Sequence, residues 1–195
     1  MAEQRDLSAR LPNGRMFEFW ETQQEYDRVI HVDNNLCLTC RECEVACSLY
    51  HEGECNPALS RIRIEFDDFV PGLPSVIVCK QCDWPACYYA CAARWEDPAM
   101  TIDEKTGARY VDESKCKSCG DCLRACPLTP ERTVIGFKKP ERKRIYFKCD
   151  LCYDRPEGPV CVEICPAHAK DASGKKTDKK AINMAPLPEE LRLQE

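Results

Sequence analysis

The chain has 195 residues, 44% of them hydrophobic and 31% charged, a balance that excludes disorder and collagen-like repeats for most of its length. A formal charge of −5 and the lack of a base-stacking motif argue against a nucleic-acid partner, and no apolar run approaches the roughly 18 residues of a membrane helix. Seventeen cysteines leave two chemistries, a disulfide scaffold or thiolates holding metal, and spacing separates them.

Residues 1–27 hold no cysteine and read as a polar N-terminal tail. The opening MAEQRDLSARLPNGR has neither an apolar core nor adjacent arginines, so no secretory or twin-arginine signal is read. The expected compartment is the reducing cytoplasm, where structural disulfides are rare. The strand-like RVIHVD (28–33) leads into Cys37, Cys40, Cys43 and Cys47, spaced C-x2-C-x2-C-x3-C. Next come the alternating RIRIEF (61–66), the apolar SVIV (75–78) and a second run, Cys79, Cys82, Cys87 and Cys91, with a middle gap of four.

The stretch MTIDEKTGARYVDESKC predicts a hairpin pairing 100–103 with 109–112 across a turn containing Gly107. It delivers the chain into Cys116, Cys119, Cys122 and Cys126, which repeat the first spacing. TVIGFKKPERKRIYFKC predicts another hairpin before Cys149, Cys152, Cys161 and Cys165, whose middle gap is eight. Proline favours the first turn of a helix, so CPLTPER and CPAHAKDA predict short helices after the last cysteines. Residues 171–195 read as a C-terminal tail.

Three cysteines at i, i+3 and i+6 wrap the backbone around one [4Fe-4S] cube, and the fourth iron takes a sulfur from elsewhere. In the bacterial ferredoxin run the fourth cysteine serves the second cluster of a pair. Sixteen cysteines in four runs therefore match four [4Fe-4S] clusters with no ligand missing. Pro127 and Pro166 follow the last cysteine as that motif asks, whereas Ser48 and Ala92 stand there in the first two runs. Zinc needs only two C-x2-C pairs and would leave the crowded third and fourth cysteines unused. The eight glycines never lie closer than thirteen residues apart, which excludes the glycine-rich loops for dinucleotides and nucleoside triphosphates. Spacing alone leaves open whether runs pair in sequence or in a nested order.

The order of one regular run, one widened run, a second regular run and one long-gap run resembles the four-cluster electron-transfer subunits of molybdenum and tungsten bis-pterin enzymes, over about 29–169. Within that group, CEVACSLYHEGECNPALSRI (43–62) is most similar to subunits that accompany tungsten enzymes of the aldehyde oxidoreductase family, including aldehyde-oxidising complexes and tungsten-containing benzoyl-CoA reductases. The resemblance implies an α+β, loop-rich domain over 28–170, made of two ferredoxin-like dicluster halves with short hairpins and helices. It also implies nested pairing. Half A would be built from the runs at 37–47 and 149–165, with Cys37, Cys40, Cys43 and Cys165 around one cluster and Cys149, Cys152, Cys161 and Cys47 around its neighbour. Half B would be built from 79–91 and 116–126, with Cys79, Cys82, Cys87 and Cys126 around one cluster and Cys116, Cys119, Cys122 and Cys91 around the last.

The function so implied is electron conduction beside a large tungsten- or molybdenum-pterin subunit, with a flavin subunit or a ferredoxin as a further redox partner. No constellation of nucleophile, base and open metal site suggests substrate chemistry in this chain. Two other readings remain open, a free polyferredoxin carrier and a zinc-stapled structural protein.

Outside the quartets, Cys55 is expected to be a buried structural thiol. His31, His51 and His168 are expected to be structural or on the surface, the last two within reach of a cluster. Trp84, Tyr88 and Tyr89 are expected to pack against a cube and exclude water. Lys138, Lys139, Arg142, Lys143 and Arg144 form a basic, solvated hairpin tip, and Lys175, Lys176, Lys179 and Lys180 lend the tail solubility.

Overall fold

Closely spaced cysteines leave little room for long elements, and the elements are short. The computed structural model describes residues 28–66, 70 and 72–186. Its order is β1 (Arg28–Val32), α1 (Glu42–Glu52), β2 (Ile62–Phe66), β3 (Pro74–Val78), α2 (Ala86–Arg94), β4 (Met100–Ile102), β5 (Arg109–Val111), α3 (Asp121–Ala125), β6 (Ile135–Lys138), β7 (Ile145–Lys148), α4 (Val160–Ile164), β8 (His168–Lys170), β9 (Lys176–Lys180) and β10 (Ile182–Pro186). The strands pair as antiparallel two-stranded ribbons, β1 with β10, β2 with β3, β4 with β5, β6 with β7 and β8 with β9. This is an α+β, loop-rich, ferredoxin-like arrangement. No helix among the described residues is long and apolar enough to cross a membrane.

The helices pack in nested pairs, α1 on α4 and α2 on α3. Each pair is entered through a matching device. Asp33 accepts from the Asn35 amide (3.2 Å) and caps a single 3-10 turn that ends at Cys37. Asp112 does the same for Ser114 (3.0 Å) ahead of Cys116. The two regular runs thus start from the same local structure, an extended strand broken by an Asp-capped turn.

The ribbons expected at 28–33, 61–66, 75–78, 100–112 and 135–148 are present, with Met100 opposite Val111 and Ile135 opposite Lys148. Other expectations fail. No helix follows Cys126 or Cys165, and Pro127 and Pro166 end helices instead of starting them. A residue before proline is driven out of the α region. Cys126 and Cys165 accordingly have ψ of 122° and 116°, and α3 and α4 stop at five residues each. Ser48 and Ala92 impose no such limit, so α1 runs on to Glu52 and α2 to Arg94.

The C-terminal stretch from 171 is not a free tail as far as residue 186. β9 pairs with β8, and β10 closes the fold by pairing with β1, Ile30 opposite Met184. Ala181, 1% exposed, links both ribbons, donating to the Ala167 carbonyl and accepting from the Asp33 amide, each at 2.8 Å. Its lysines are structural as well. Lys180 Nζ donates to the Val162 and Glu163 carbonyls at the end of α4 (3.1 and 3.0 Å), and Lys179 pairs with Asp33 at 2.9 Å. The expected tails at 1–27 and 187–195 lie outside the described residues.

A ring of alternating charges joins the two helix pairs. Lys138 Nζ lies 2.6 Å from Glu52 and 2.7 Å from Glu113, while Arg61 lies 3.7 Å from Glu52 and 3.3 Å from Glu113. Lys138 therefore turns inward and does not join the solvated tip formed by Lys139, Arg142, Lys143 and Arg144. Burial opposes its charge, but hydrogen bonds to Glu113 and Glu52 outweigh that and hold its pKa above the ordinary lysine value. The Glu52 side chain is only 10% exposed, so removing its charge leaves two poorly hydrated cations to share Glu113 alone. Glu52→Gln is expected to lower stability by about 2 kcal/mol in chemical unfolding; a loss under about 0.5 kcal/mol would show that the ring is ornamental.

Candidate metal centre

Each cysteine run begins with the same strained turn. The residue two positions after the first cysteine has positive φ in all four: Thr39 (55°), Gln81 (49°), Ser118 (63°) and Leu151 (59°). None is glycine, and the left-handed region costs other residues roughly 1–2 kcal/mol. The turn folds the amide back toward sulfur, and the N–H groups of Thr39 and Gln81 donate to Cys37 and Cys79 Sγ at 3.5 Å. Arg61 N–H likewise donates to Cys47 Sγ at 3.2 Å. These donors favour thiolate over thiol.

The two regular runs add a second left-handed residue after their second cysteine, Arg41 (φ 61°) in one and Gly120 (φ 74°) in the other. Only at 120 does space also demand glycine, because a Cβ there would lie 2.7 Å from Tyr146 Oη.

The sulfurs converge on common cavities. One cavity is lined by Cys79, Cys82 and Cys87 together with Cys126, the last cysteine of the next run. A second is lined by Cys116, Cys119 and Cys122 together with Cys91, the last cysteine of the run before. Packing of α2 on α3 produces this exchange. In the other helix pair, Cys43 and Cys47 lie on α1, Cys161 lies on α4, and buried Cys165 directly follows α4. A thiolate at Cys47 is felt at both Cys152 and Cys161, and Cys37 and Cys40 add to the effect of burial at Cys43.

Three further couplings link one run with another. Cys43 acts on Cys161, Cys79 on Cys149, and Cys87 on Cys122. These contributions set sulfurs of different runs near one another across the interior.

Burial pushes the thiols of Cys43, Cys122 and Cys152 up to about 12 and that of Cys87 to about 11. Sulfurs so placed ionise only against a cation, and all seventeen cysteines are free thiols. Four sulfurs around one cavity fit a [4Fe-4S] cube and also a zinc ion, so donor count alone does not separate the two.

Sequence comparison does. Residues 73–174 match the family described as 4Fe-4S dicluster domain, a stretch that holds the second, third and fourth runs. The chain belongs to that family. It is an iron–sulfur electron-transfer protein. It is 44% identical over 137 residues to the polyferredoxin-like subunit of an aliphatic sulfonate oxidoreductase from Pyrococcus furiosus, covering 70% of each chain. It is 35% identical to the putative electron transport protein YsaA of Escherichia coli, over 73% of this chain and 87% of that one. HydN, an electron transport protein of the same organism, is 30% identical over 73% of this chain and 86% of its own. Among solved structures, the active-site complex BamBC of benzoyl coenzyme A reductase with benzoyl-CoA aligns at 22% identity over 82% of this chain and 79% of that chain. Its TM-score of 0.40 is too loose to bear on function.

Several neighbouring residues differ from expectation. Cys55 is exposed, not buried; it lies in the loop between the left-handed Gly53 that ends α1 and the turn at Pro57–Leu59, and it lines neither of these two cavities. His51 does approach the sulfurs, with Nε2 at 3.7 Å from Cys152 Sγ and 3.4 Å from Asp150 Oδ1. His168 does not, because its Nδ1 donates to the Thr177 carbonyl at 2.8 Å within the β8–β9 ribbon. His31 is exposed on β1. Tyr88 packs against the core, while Trp84 is 47% exposed and lies against Tyr89 at 4.4 Å between ring centroids.

Two residues with no signal in the spacing stand beside the sulfurs. Gln81 is 2% exposed; it donates to the Cys149 carbonyl (2.7 Å) and accepts from the Arg109 amide (2.8 Å), tying the second run to the fourth. Lys148, also 2% exposed, ends β7 immediately before Cys149 and lines the Cys79 cavity.

At Gly120, the clash with Tyr146 and the left-handed φ act together. Gly120→Ala is expected to lower stability by about 2 kcal/mol or more and to reduce bound iron selectively at the Cys116 group. Iron content and unfolding midpoints equal to those of the parent would contradict this account of the turn.

Proposed function

We propose that the sixteen cysteines hold four [4Fe-4S] clusters in nested order, making this chain the conducting subunit of an oxidoreductase complex. Cys37, Cys40, Cys43 and Cys165 would ligate the first, and Cys149, Cys152, Cys161 and Cys47 the second. Cys79, Cys82, Cys87 and Cys126 would ligate the third, and Cys116, Cys119, Cys122 and Cys91 the fourth. The observation that carries this reading is the pair of cavities in which three cysteines of one run meet the last cysteine of another. When bound, each cube accepts and releases one electron at a time.

The chain's own contribution is positional. The left-handed turns aim amides at sulfur, the nested helices bring the fourth ligand across, and the buried residues Ile62, Ile64 and Val76–Val78 with the strand Ile145–Lys148 keep water out. With these ligand sets, the influence of Cys43 on Cys161, of Cys79 on Cys149 and of Cys87 on Cys122 would string the clusters in a row with the Cys149 and Cys79 groups in the middle, an order that suits a two-electron catalytic partner exchanging with a one-electron carrier. That partner we take to be a large tungsten- or molybdenum-pterin subunit. Support comes from the resemblance over 43–62 and from the relative named as a subunit of an aliphatic sulfonate oxidoreductase. A flavin subunit or a ferredoxin would be the other terminus, and the cytoplasm the compartment.

Anaerobic purification from the native source should yield brown protein with near sixteen iron and sixteen sulfide per chain, accompanied by a larger pterin protein. Zinc in place of iron would refute the cluster reading, and a chain always isolated alone would favour a free carrier. Cys126→Ser separates the pairings. Nested ligation predicts damage to the cluster of Cys79, Cys82 and Cys87; damage to that of Cys149, Cys152 and Cys161, as sequential pairing predicts, or to that of Cys116, Cys119 and Cys122 alone would overturn it.

A further inference from the structure

We propose that the fixed positive charge of Lys148 makes the cluster at Cys79, Cys82, Cys87 and Cys126 the first of the four to be reduced. The inference rests on the cluster assignment above and adds an order to it.

A cube held by four thiolates gains one negative charge when it takes an electron, so a nearby fixed cation stabilises the reduced form more than the oxidised one and raises the potential. The effect is largest where water is excluded. Lys148 meets both conditions. It is 2% exposed in a strand whose four residues are all buried, and its ammonium donates to two backbone carbonyls, those of Arg109 and Cys149, the latter at 3.0 Å. Carbonyls satisfy its hydrogens without cancelling its charge. The cavity that it lines holds four cysteines, with Lys80 and Arg109 also in the wall and no carboxylate there. Arg109 is partly offset by Asp83 at 4.0 Å, which leaves Lys148 as the buried charge that dominates.

The other groups lack an equivalent. The Cys116 cavity has one cation in its wall, Lys117, which is exposed to solvent. Lys148 also touches the Cys149 carbonyl, but beside Cys149 and Cys152 the buried Asp150, 9% exposed and of opposite sign, opposes it, and Arg61 nearby belongs to the ring with Glu52 and Glu113. At Cys43 the neighbouring charge is Glu44, itself paired with Arg41 at 2.9 Å. Because the Cys79 group is interior to the row, an electron entering from either end settles there first, and the second electron of a pair waits on a neighbour.

The test is an anaerobic redox titration of the full chain with dithionite and mediator dyes, followed by electron paramagnetic resonance, with iron and sulfide measured on each sample. In the parent protein, the signal that appears at the highest potential should be the one perturbed by Cys82→Ser. Lys148→Met, which keeps length and loses charge, should shift the reduced-to-oxidised ratio of that signal about tenfold toward oxidised at the parental midpoint, leaving the outermost cluster unmoved; Lys148→Arg should restore it. A full iron complement with an unmoved midpoint in Lys148→Met overturns the proposal alone, while a parent chain without clusters overturns the assignment beneath it. If Lys148→Met fails to hold iron, the parent titration still decides: a first-reduced signal indifferent to Cys82→Ser sinks the inference.

Discussion

Many sulfurs brought into a small interior become thiolates there only against a bound cation, and the rest of this structure follows from that constraint. Cys149 and Cys161 are buried with their thiols raised well above the ordinary value, and Cys43, Cys122 and Cys152 reach about 12. Such groups remain neutral in the bare protein and become anions with metal. The core between the cavities is correspondingly thin: Ile30, Ile62, Met100, Ile135 and Phe147 are its largest fully buried apolar side chains. Binding of metal and folding are therefore coupled, and the short ribbons and helices act as a frame for the sulfurs more than as an independent core.

The frame is built twice. Strand, Asp-capped turn and regular cysteine run recur at Asp33 and at Asp112, and in each copy the helix that carries the run packs on one from an irregular run. The outer copy is closed by the first and last strands, β1 and β10, so the inner copy sits within it along the sequence. The ring of Arg61, Glu52, Lys138 and Glu113 crosses between copies, as does Gln81 through the Cys149 carbonyl. Both links tie one copy to the other, and Gln81 sets the second cysteine run against the fourth.

What could be read from the residues was whatever a local pattern dictates. Alternation in RIRIEF and the turn at Gly107 specify their ribbons, and cysteine spacing specifies the quartets by type. The helices were misplaced because proline after cysteine has two local meanings: it opens a helix when it is the first residue and ends one when the residue before it is already helical, as at Cys126 and Cys165. β9, KTDKK, shows no apolar alternation since most of it faces solvent; its pairing with β8 and the anchoring of Ala181 are tertiary. Lys148 has no local signature, because a strand buried on every residue carries no alternation to mark a charged member. Free cysteines are on average buried, but the loop that carries Cys55 leaves it exposed.

The central claim is that each inorganic cube sits among three cysteines of one run and the last cysteine of its nested partner. Anomalous diffraction at the iron edge from anaerobically grown crystals tests it most directly. The account predicts four iron peaks in a row, the third beside Cys79, Cys82, Cys87 and Cys126. Peaks enclosed by all four cysteines of a single run, or anomalous signal at the zinc edge in their place, would contradict it.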